Sequence, residues 1–558
     1  MKTVDLQSSM EISDKNFLVN MVTSAFDELD SQRQKQKADI KEVEDAIFLK
    51  TPDKFQMTDL FELYQTFKSH VWENLYSNLE SLFDVKGLNE KSEQTAHLQK
   101  HNLQKYFELG KLQNVLDEAI DFLIRKSEAI IFVGWKTEEK FVRRMKNVSF
   151  FDKVAKKPQN KKQIVIERKK VYDGLDLRAI DPENIVFDVE KQNFFIYQTY
   201  VTLEELSCAQ GFNLLDEETF AKLRAYVEAS QKKKNVKGLI DDKVELLEYW
   251  GDVKLADGSV VKNQVVVVVA RQFVIRQELN PYIIKPFVVM DILKDPDTKR
   301  GFVYLKTALP MKEKSQQIFI NQLRALEFVT NPAYLAPKGA FSNIDQNAQP
   351  GKIIEYEPSL MPQAPTPLNM AGALQGWEFL SYLKNIEETS TGIFKNFTGV
   401  IDKARSATEV QATVGGQNSR LAMIIDLINQ YLVIPVVEKS AELIANLIFE
   451  KEEVFVIEDE VQRTEIIDDN VRDGDYKYLY GDRNAIQARR FKLKEMFDIC
   501  SNMLNLFPDL KEGINSAEAL KFVLEQYGYD NFERFKKDEF SGKSDNTSAH
   551  AFEGNGSF

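Results

Sequence analysis

Two long helical patterns in this chain enclose a stretch that resists helix. After Pro310, the run MKEKSQQIFINQLRALEFVT carries an apolar stripe through Ile318, Phe319, Leu323 and Leu326. Proline suits the first turn, where its missing N–H costs nothing. Asn331-Pro332 ends the helix, because a residue before proline is pushed out of the α region. About 20 residues make a rod of roughly 30 Å. The stretch that follows, AYLAPKGAFSNIDQNAQPGKIIEYEPSLMPQAPTP, scatters prolines that disfavour helix. It predicts a compact, separately shaped lobe with short strands at Tyr334 to Ala336 and Lys352 to Tyr356. A second helix over 369–394 would run antiparallel to the first and hold the lobe at their common end.

The chain then breaks at NFTGVIDKARSATEVQATVG, exposing Gly399, Asp402, Lys403 and Arg405. Ser406 and Glu409 have the S-x-x-E spacing of a capping box, so a new helix starts there. It is expected to run to about Glu450, some 44 residues or roughly 65 Å if straight. Pro435 removes a hydrogen bond and predicts a kink around Tyr431 to Pro435. Such a helix has more apolar face than one small domain can cover, which predicts partner subunits.

At 558 residues the chain exceeds one hydrophobic core, so two or more units are expected. Residues 15–130 read as amphipathic helices separated by polar breaks such as KTPDK and DVKGLNEKS. From 131 to about 300 strands dominate, with turn signals at KPQNKKQ, YDGLD, DPEN, ADGS, LNPY and DPDTK. One helix from Thr202 to Lys232 interrupts them. In the meander WGDVKLADGSVVKNQVVVVVARQFVIR, Asp257-Gly258 supplies a tight hairpin turn. VVVVVA, the most apolar run, is far short of the roughly 20 residues that span a bilayer and reads as a buried strand. No spanning segment and no membrane partner are expected, and the first residues lack the apolar region of a secretion signal. Between 451 and 481 one or two strands rejoin the earlier sheet; 484–527 return to helix, and the last stretch is low in complexity. The expected fold class is α+β, predominantly helical.

A net charge of −13 argues against coating DNA by bulk attraction, while leaving room for weak, local contacts. The Lys- and Arg-rich stretch 136–170 reads as the solvated face of a strand unit, with DNA or an acidic partner as the alternative. Cys208 and Cys500 build neither a disulfide framework nor a zinc site. Of the four histidines, His97 and His101 share i, i+4 spacing but read as surface helix residues. QNAQPGKI has the Gly-Lys of a phosphate loop, with Gln346 where the first glycine belongs. The carboxylate pairs Glu387-Glu388 and Asp241-Asp242 sit in charged surface contexts, without a metal or nucleophile nearby in sequence. No enzyme, cofactor or metal is expected.

The phrases VYDGLDLRAIDPENIVFDVE, LNPYIIKPFVVMD, KSQQIFINQLRALEFVTNPAYLAPKG, QPGKIIEYEP and STGIFKNFTGVIDKARSATEVQATVGGQNSRLAMIIDLINQYLVIPVV, in that order, resemble the portal or head-to-tail connector proteins of tailed bacteriophages, especially short-tailed ones. The resemblance covers roughly 170–450. It implies a homo-oligomeric ring, usually of twelve copies, at one capsid vertex, assembled in the host cytoplasm. Double-stranded DNA would pass through it non-specifically, with major capsid protein, terminase and later tail adaptor proteins as partners. It further implies 1–130 as the helical part of a wing, 131–307 as its strand-rich part, and 308–331 and 369–393 as stem helices. The clip would be 332–368, the tunnel loop 394–406 and the long kinked helix 407–450. A wing-closing segment at 451–483, a helical crown at 484–535 and a disordered tail at 536–558 complete the assignment. Lys395, Lys403 and Arg405 become candidates for touching DNA phosphates in the channel, and Lys338, Lys352 and Tyr356 for docking at the clip. The competing expectations are an oligomeric scaffold without a DNA channel and a magnesium-dependent enzyme acting on nucleic acid.

Overall fold

The computed structural model describes residues 14–50, 57–75, 82–152, 157–190, 192–209, 211–231, 238–240, 243–255, 258–331, 334–337, 353–356, 359, 376–392, 420–458 and 461–480. The chain divides into one unit of 1–451 with 467–481 and a second of 452–466 with 482–558. Mixed helix and strand make it α+β, as expected.

Helix α1 (Lys15–Gln32) starts where the Asp14 carboxylate accepts the Phe17 N–H at 3.0 Å. It buries Leu18, Val22 and Phe26. Helices α2 (Gln34–Ile47) and α3 (Asp59–Leu75) follow. The polar break expected at DVKGLNEKS is instead strand β1 (Phe83–Gly87), paired antiparallel with Tyr476–Tyr480. Its partner comes from far along the sequence, so local propensity carried no sign of it. Helices α4 (Glu90–Leu109) and α5 (Leu112–Lys126) complete the helical layer.

Strands β2 (Glu128–Asp152) and β3 (Lys157–Ile180) form a long antiparallel ribbon. Two predicted turns, KPQNKKQ and YDGLD, lie inside β3. At the second, the Asp173 carboxylate accepts from Trp135 Nε1 (3.0 Å) and Thr137 Oγ1 (2.8 Å), and Gly174 stands opposite Lys136. Bonds across the ribbon hold these turn-forming residues extended.

A short turn, Pro182–Asn184, leads to β4 (Ile185–Phe187) and β5 (Phe194–Thr202). The single helix expected over 202–232 is two, α6 (Leu203–Cys208) and α7 (Glu217–Gln231). The first opens on a capping box of Thr202 and Glu205, and the second where Asp216 accepts the Thr219 N–H at 2.7 Å. Between them Asn213 bonds both backbone groups of Gln277, at 3.0 and 3.1 Å, which pins the link to a neighbouring strand.

The remaining strands of the main sheet are β6 (Leu239–Ile240), β7 (Lys243–Lys254), β8 (Val260–Val269) and β9 (Phe273–Leu279), all antiparallel in the order β4-β5-β7-β8-β9, with β6 on β7. The β7–β8 turn has Gly258 at φ +86°, as the sequence predicts; Asp257 lies outside the described residues. VVVVVA is a buried strand for a visible reason. Val265, Val267 and Val269 pack with α6 and α7 on one face, while Val266 and Val268 pack with α1 on the other.

Strand β10 (Phe287–Asp291) pairs with the first residues of β2. Behind this junction Glu128 is fully buried, with Arg300 on both oxygens at 2.8 and 2.6 Å and the Gly301 N–H at 2.8 Å. Burial pushes its carboxyl up, but Arg300, Arg33 and these hydrogen bonds outweigh that and hold it below the ordinary carboxylate range. Burial, with Arg300 nearby, pushes Arg33 down to about 10.

Next come α8 (Leu309–Thr330), β11 (Tyr334–Pro337), β12 (Ile353–Tyr356), α9 (Gly376–Thr391) and α10 (Arg420–Leu447). The interruption expected near Pro435 is a π-turn, Asn429–Val433, directly before the proline. The Ile434 N–H reaches back to the Asn429 carbonyl, so one extra residue in the ladder absorbs the strain. α10 ends at Leu447, short of Glu450, because Arg472 takes the carbonyls of Ile448 (3.3 Å) and Glu450 (2.7 Å). Contrary to the sequence expectation, α10 is a segment long and apolar enough to cross a membrane, with 28 residues and an 18-residue stretch of mean hydropathy 1.6. Its apolarity has another use, since Leu421, Ile424, Ile428, Leu432, Val436 and Leu443 belong to the helical core.

Strands β13 (Glu452–Glu458) and β14 (Val461–Ile467) pair with each other. β15 (Tyr476–Tyr480) pairs with β1. Contrary to the sequence expectation, none of these three strands rejoins the main sheet; β15 pairs instead with β1, in a stretch whose sequence reads as a polar break.

Candidate functional site

The helix pair and what it encloses form the candidate site. α8 starts at Leu309-Pro310, as predicted, and ends at Asn331. Its first half is rooted in the body, where Leu309, Lys312 and Ser315 are buried. Lys312 Nζ donates to the Ala46 carbonyl at 2.6 Å, and burial lowers its pKa against the opposing pull of Asp59 and Glu387. α9 packs along α8 and is tied to α3 by Lys384 and Asp59 at 3.0 Å. Glu387, expected on a charged surface, is buried, because the α8–α9 packing turns that face inward.

Further along, both helices carry apolar side chains into solvent. Leu323, Leu326 and Val329 on α8 are 39–45% exposed, and Phe379 and Tyr382 on α9 are 51% and 58% exposed. The predicted apolar stripe contained Leu323 and Leu326, but it did not reveal that the body stops short of them.

The enclosed lobe holds the two expected strands, and they are parallel, with Tyr334 opposite Ile353 and Pro337 opposite Tyr356. Parallel pairing needs a crossover of about a dozen residues or more, and 338–352 supply that length. Tyr356 closes β12; Lys338 and Lys352 lie outside the described residues.

After α9 the chain reaches Gly392 and is described again from Arg420. These two feet stand together. Arg420 Nη1 donates to the Thr389 carbonyl at 2.8 Å, and a Cβ on Gly392 would sit 3.0 Å from Arg420 Cδ. Tyr304 secures the same corner by donating to the Thr391 carbonyl at 2.6 Å. The segment 393–419 therefore leaves and returns at one point on the body. Lys395, Lys403, Arg405 and the Ser406–Glu409 capping box fall within it, outside the described residues. Pro435 sits just past the π-turn of α10. Cys208 is exposed, and Cys500 lies outside the described residues. His97 is exposed on α4 and His101 half-buried. Among the described residues no group of three or more His, Cys, Asp or Glu is placed to hold a metal.

The described residues thus show a helix pair rooted in a mixed α/β body, two short parallel strands between those helices in sequence, and a long helix α10 that is half buried in the core. The family model described as Phage SU10 portal protein matches residues 89–468, more than half of the chain, and the chain belongs to that family of bacteriophage portal proteins. The family is a structural class of the capsid vertex, and membership implies an oligomeric ring associated with the capsid. No curated protein matches the chain.

Proposed function

We propose that twelve copies of this chain form a ring at one capsid vertex, through which double-stranded DNA is packaged and later ejected. The supporting observation is the α8–α9 pair, which leaves Leu323, Leu326, Val329, Phe379 and Tyr382 exposed at the end that carries the lobe. Aromatic and aliphatic side chains bared at regular helical positions suit an interface between neighbouring subunits. On this reading 308–331 and 369–393 are the stem, and 332–368 the clip, where terminase docks first and tail adaptors later through Lys338, Lys352 and Tyr356. Residues 1–307 with 451–483 form the wing and 484–535 the crown.

The loop 394–406 then lines the channel, with Lys395, Lys403 and Arg405 meeting phosphates without reading bases. A chain of net charge −13 fits a channel through which DNA slides, since strong attraction along its whole length would stall the duplex.

Electron microscopy of the purified protein in end-on view tests the proposal. A closed ring of about twelve copies with an opening wide enough for duplex DNA is expected, and a discrete oligomer with no pore would refute it. In that ring, Lys403→Ala with Arg405→Ala should leave assembly intact and impair packaging or retention of DNA; normal packaging would remove those two residues from the channel.

A further inference from the structure

The β2–β3 ribbon changes character along its length. Among the described residues, only 128–132 of β2 have a third strand beside them. Near the root, Ile130, Ile131, Val133 and Leu175 are buried. From Lys136 outward, no further strand among the described residues pairs with either β2 or β3, yet after a one-residue bulge at Glu138/Glu139 the two strands stay paired to Asp152 and Lys157. Seventeen residues of strand reach roughly 55 Å. A two-stranded ribbon is marginal by itself in water, and among the described residues no strand covers either edge of its outer part.

The face of this ribbon is specific. Phe141 stands opposite Arg168 and Arg143 opposite Ile166, so these four side chains share one face. Phe141 is 70% exposed and Ile166 60%, with the Arg168 guanidinium 5.4 Å from the Phe141 ring. An aromatic and an aliphatic residue framed by two arginines is the composition of a protein-binding hot spot.

Charge points to the partner. Residues 136–172 hold 13 Lys and Arg against 4 Asp and Glu, a surplus of nine in a chain whose net charge is −13, which leaves −22 for the remainder. The remainder of a second copy is thus net acidic, which favours its association with a basic arm. Duplex DNA fits less well, because Glu138 and Glu139 are exposed on the ribbon and Phe141 and Ile166 would gain no apolar cover from phosphates.

We infer that the outer ribbon is an assembly arm, whose Phe141–Arg143–Ile166–Arg168 face packs on a second copy of this chain. The inference deepens the ring reading and assigns one of the contacts that would close it.

The test uses the purified full chain, prepared as an equal mixture of 14N- and 15N-labelled protein, with a benzophenone amino acid in place of Phe141. Illumination is expected to give mixed-isotope cross-linked peptides between the arm and another copy. Cross-links confined to single chains, or none, would overturn the inference, as would cross-linking to added duplex DNA in place of protein. End-on images of the same samples separate the two readings. Rings without cross-links between copies sink the arm and spare the ring, whereas cross-links in a pore-less oligomer do the reverse. The pair Phe141→Glu and Ile166→Glu should raise the concentration for half-assembly at least tenfold with the melting temperature of the unassembled chain unchanged; unchanged assembly would count against the arm.

Discussion

The helix pair α8–α9 and the β2–β3 ribbon are both rooted in the core and both end bare, but they depend on neighbours differently. Apart from its end groups a helix makes its backbone hydrogen bonds within itself, so the exposed part of α8 mainly lacks cover for Leu323, Leu326 and Val329. The outer ribbon lacks cover for Phe141 and Ile166, and among the described residues neither of its strand edges has a partner. The roots differ too. The helix pair is anchored by single contacts such as Lys312 to Ala46 and Lys384 to Asp59, while the ribbon starts at a fully enclosed ion pair, Glu128 with Arg300. A helical projection can stand alone and wait for partners; a ribbon needs a firm root and a partner for its length.

The largest effect is expected at that root. Arg300→Ala strands the buried Glu128 carboxylate and should cost about 3–5 kcal/mol in chemical denaturation, and a loss below about 1 kcal/mol would show that the ribbon is anchored elsewhere. On the helix pair, Leu326→Asp with Phe379→Asp should weaken assembly by at least about 2 kcal/mol in sedimentation experiments while leaving the unfolding of the single chain nearly unchanged. A large fall in the stability of the single chain would mean that these side chains are core, and the comparison would fail.

Lys439 probes the root of the ribbon, because its ammonium on α10 donates to the carbonyls of Lys285 and Phe287, both at 2.6 Å, at the start of β10, the strand that pairs with β2. Burial pushes it down to about 8 from an ordinary value of 10.5. Between those values the unfolded chain binds more protons than the folded one, so this residue's contribution to stability rises with pH. Relative to Lys439→Met, the protein should gain about 2 kcal/mol between pH 7.5 and 9.5, and parallel pH profiles would show Lys439 to be solvated. The smallest effect belongs to the loop's foot. Gly392 has φ +71°, and Gly392→Ala should cost about 1–2 kcal/mol through that conformation and the crowding of Arg420.

Much of the helix pair was legible in the chain. Pro310 and Asn331-Pro332 bound α8 because proline acts on its immediate neighbours, and both lobe strands fell where they were expected. The break at Pro435 was legible as a position but not as a π-turn, since the sequence shows the missing N–H and not how the ladder adjusts. The proposed site was legible only in outline. The apolar stripe of α8 was readable, whereas the exposure of Leu323, Leu326 and Val329 beside the buried Gln322 and Ala325 depends on what packs against that part of the helix. For the loop, the structure adds the meeting of Gly392 and Arg420, two residues whose proximity nothing in their local sequence suggests.

By itself the sequence determined what neighbouring residues settle among themselves: the helical and strand-rich regions, the Gly258 turn, the rod-lobe-rod order, and a run of phrases that resembles phage portal proteins. Tertiary structure alone decided the pairing of β1 with β15, the extended course of YDGLD, the docking of Asn213 on β9 between α6 and α7, and the half-burial of a helix apolar enough to span a membrane. The physical reason is common to all four. Local preferences there amount to about a kilocalorie per mole or less, and contacts with residues far away in the chain outweigh them.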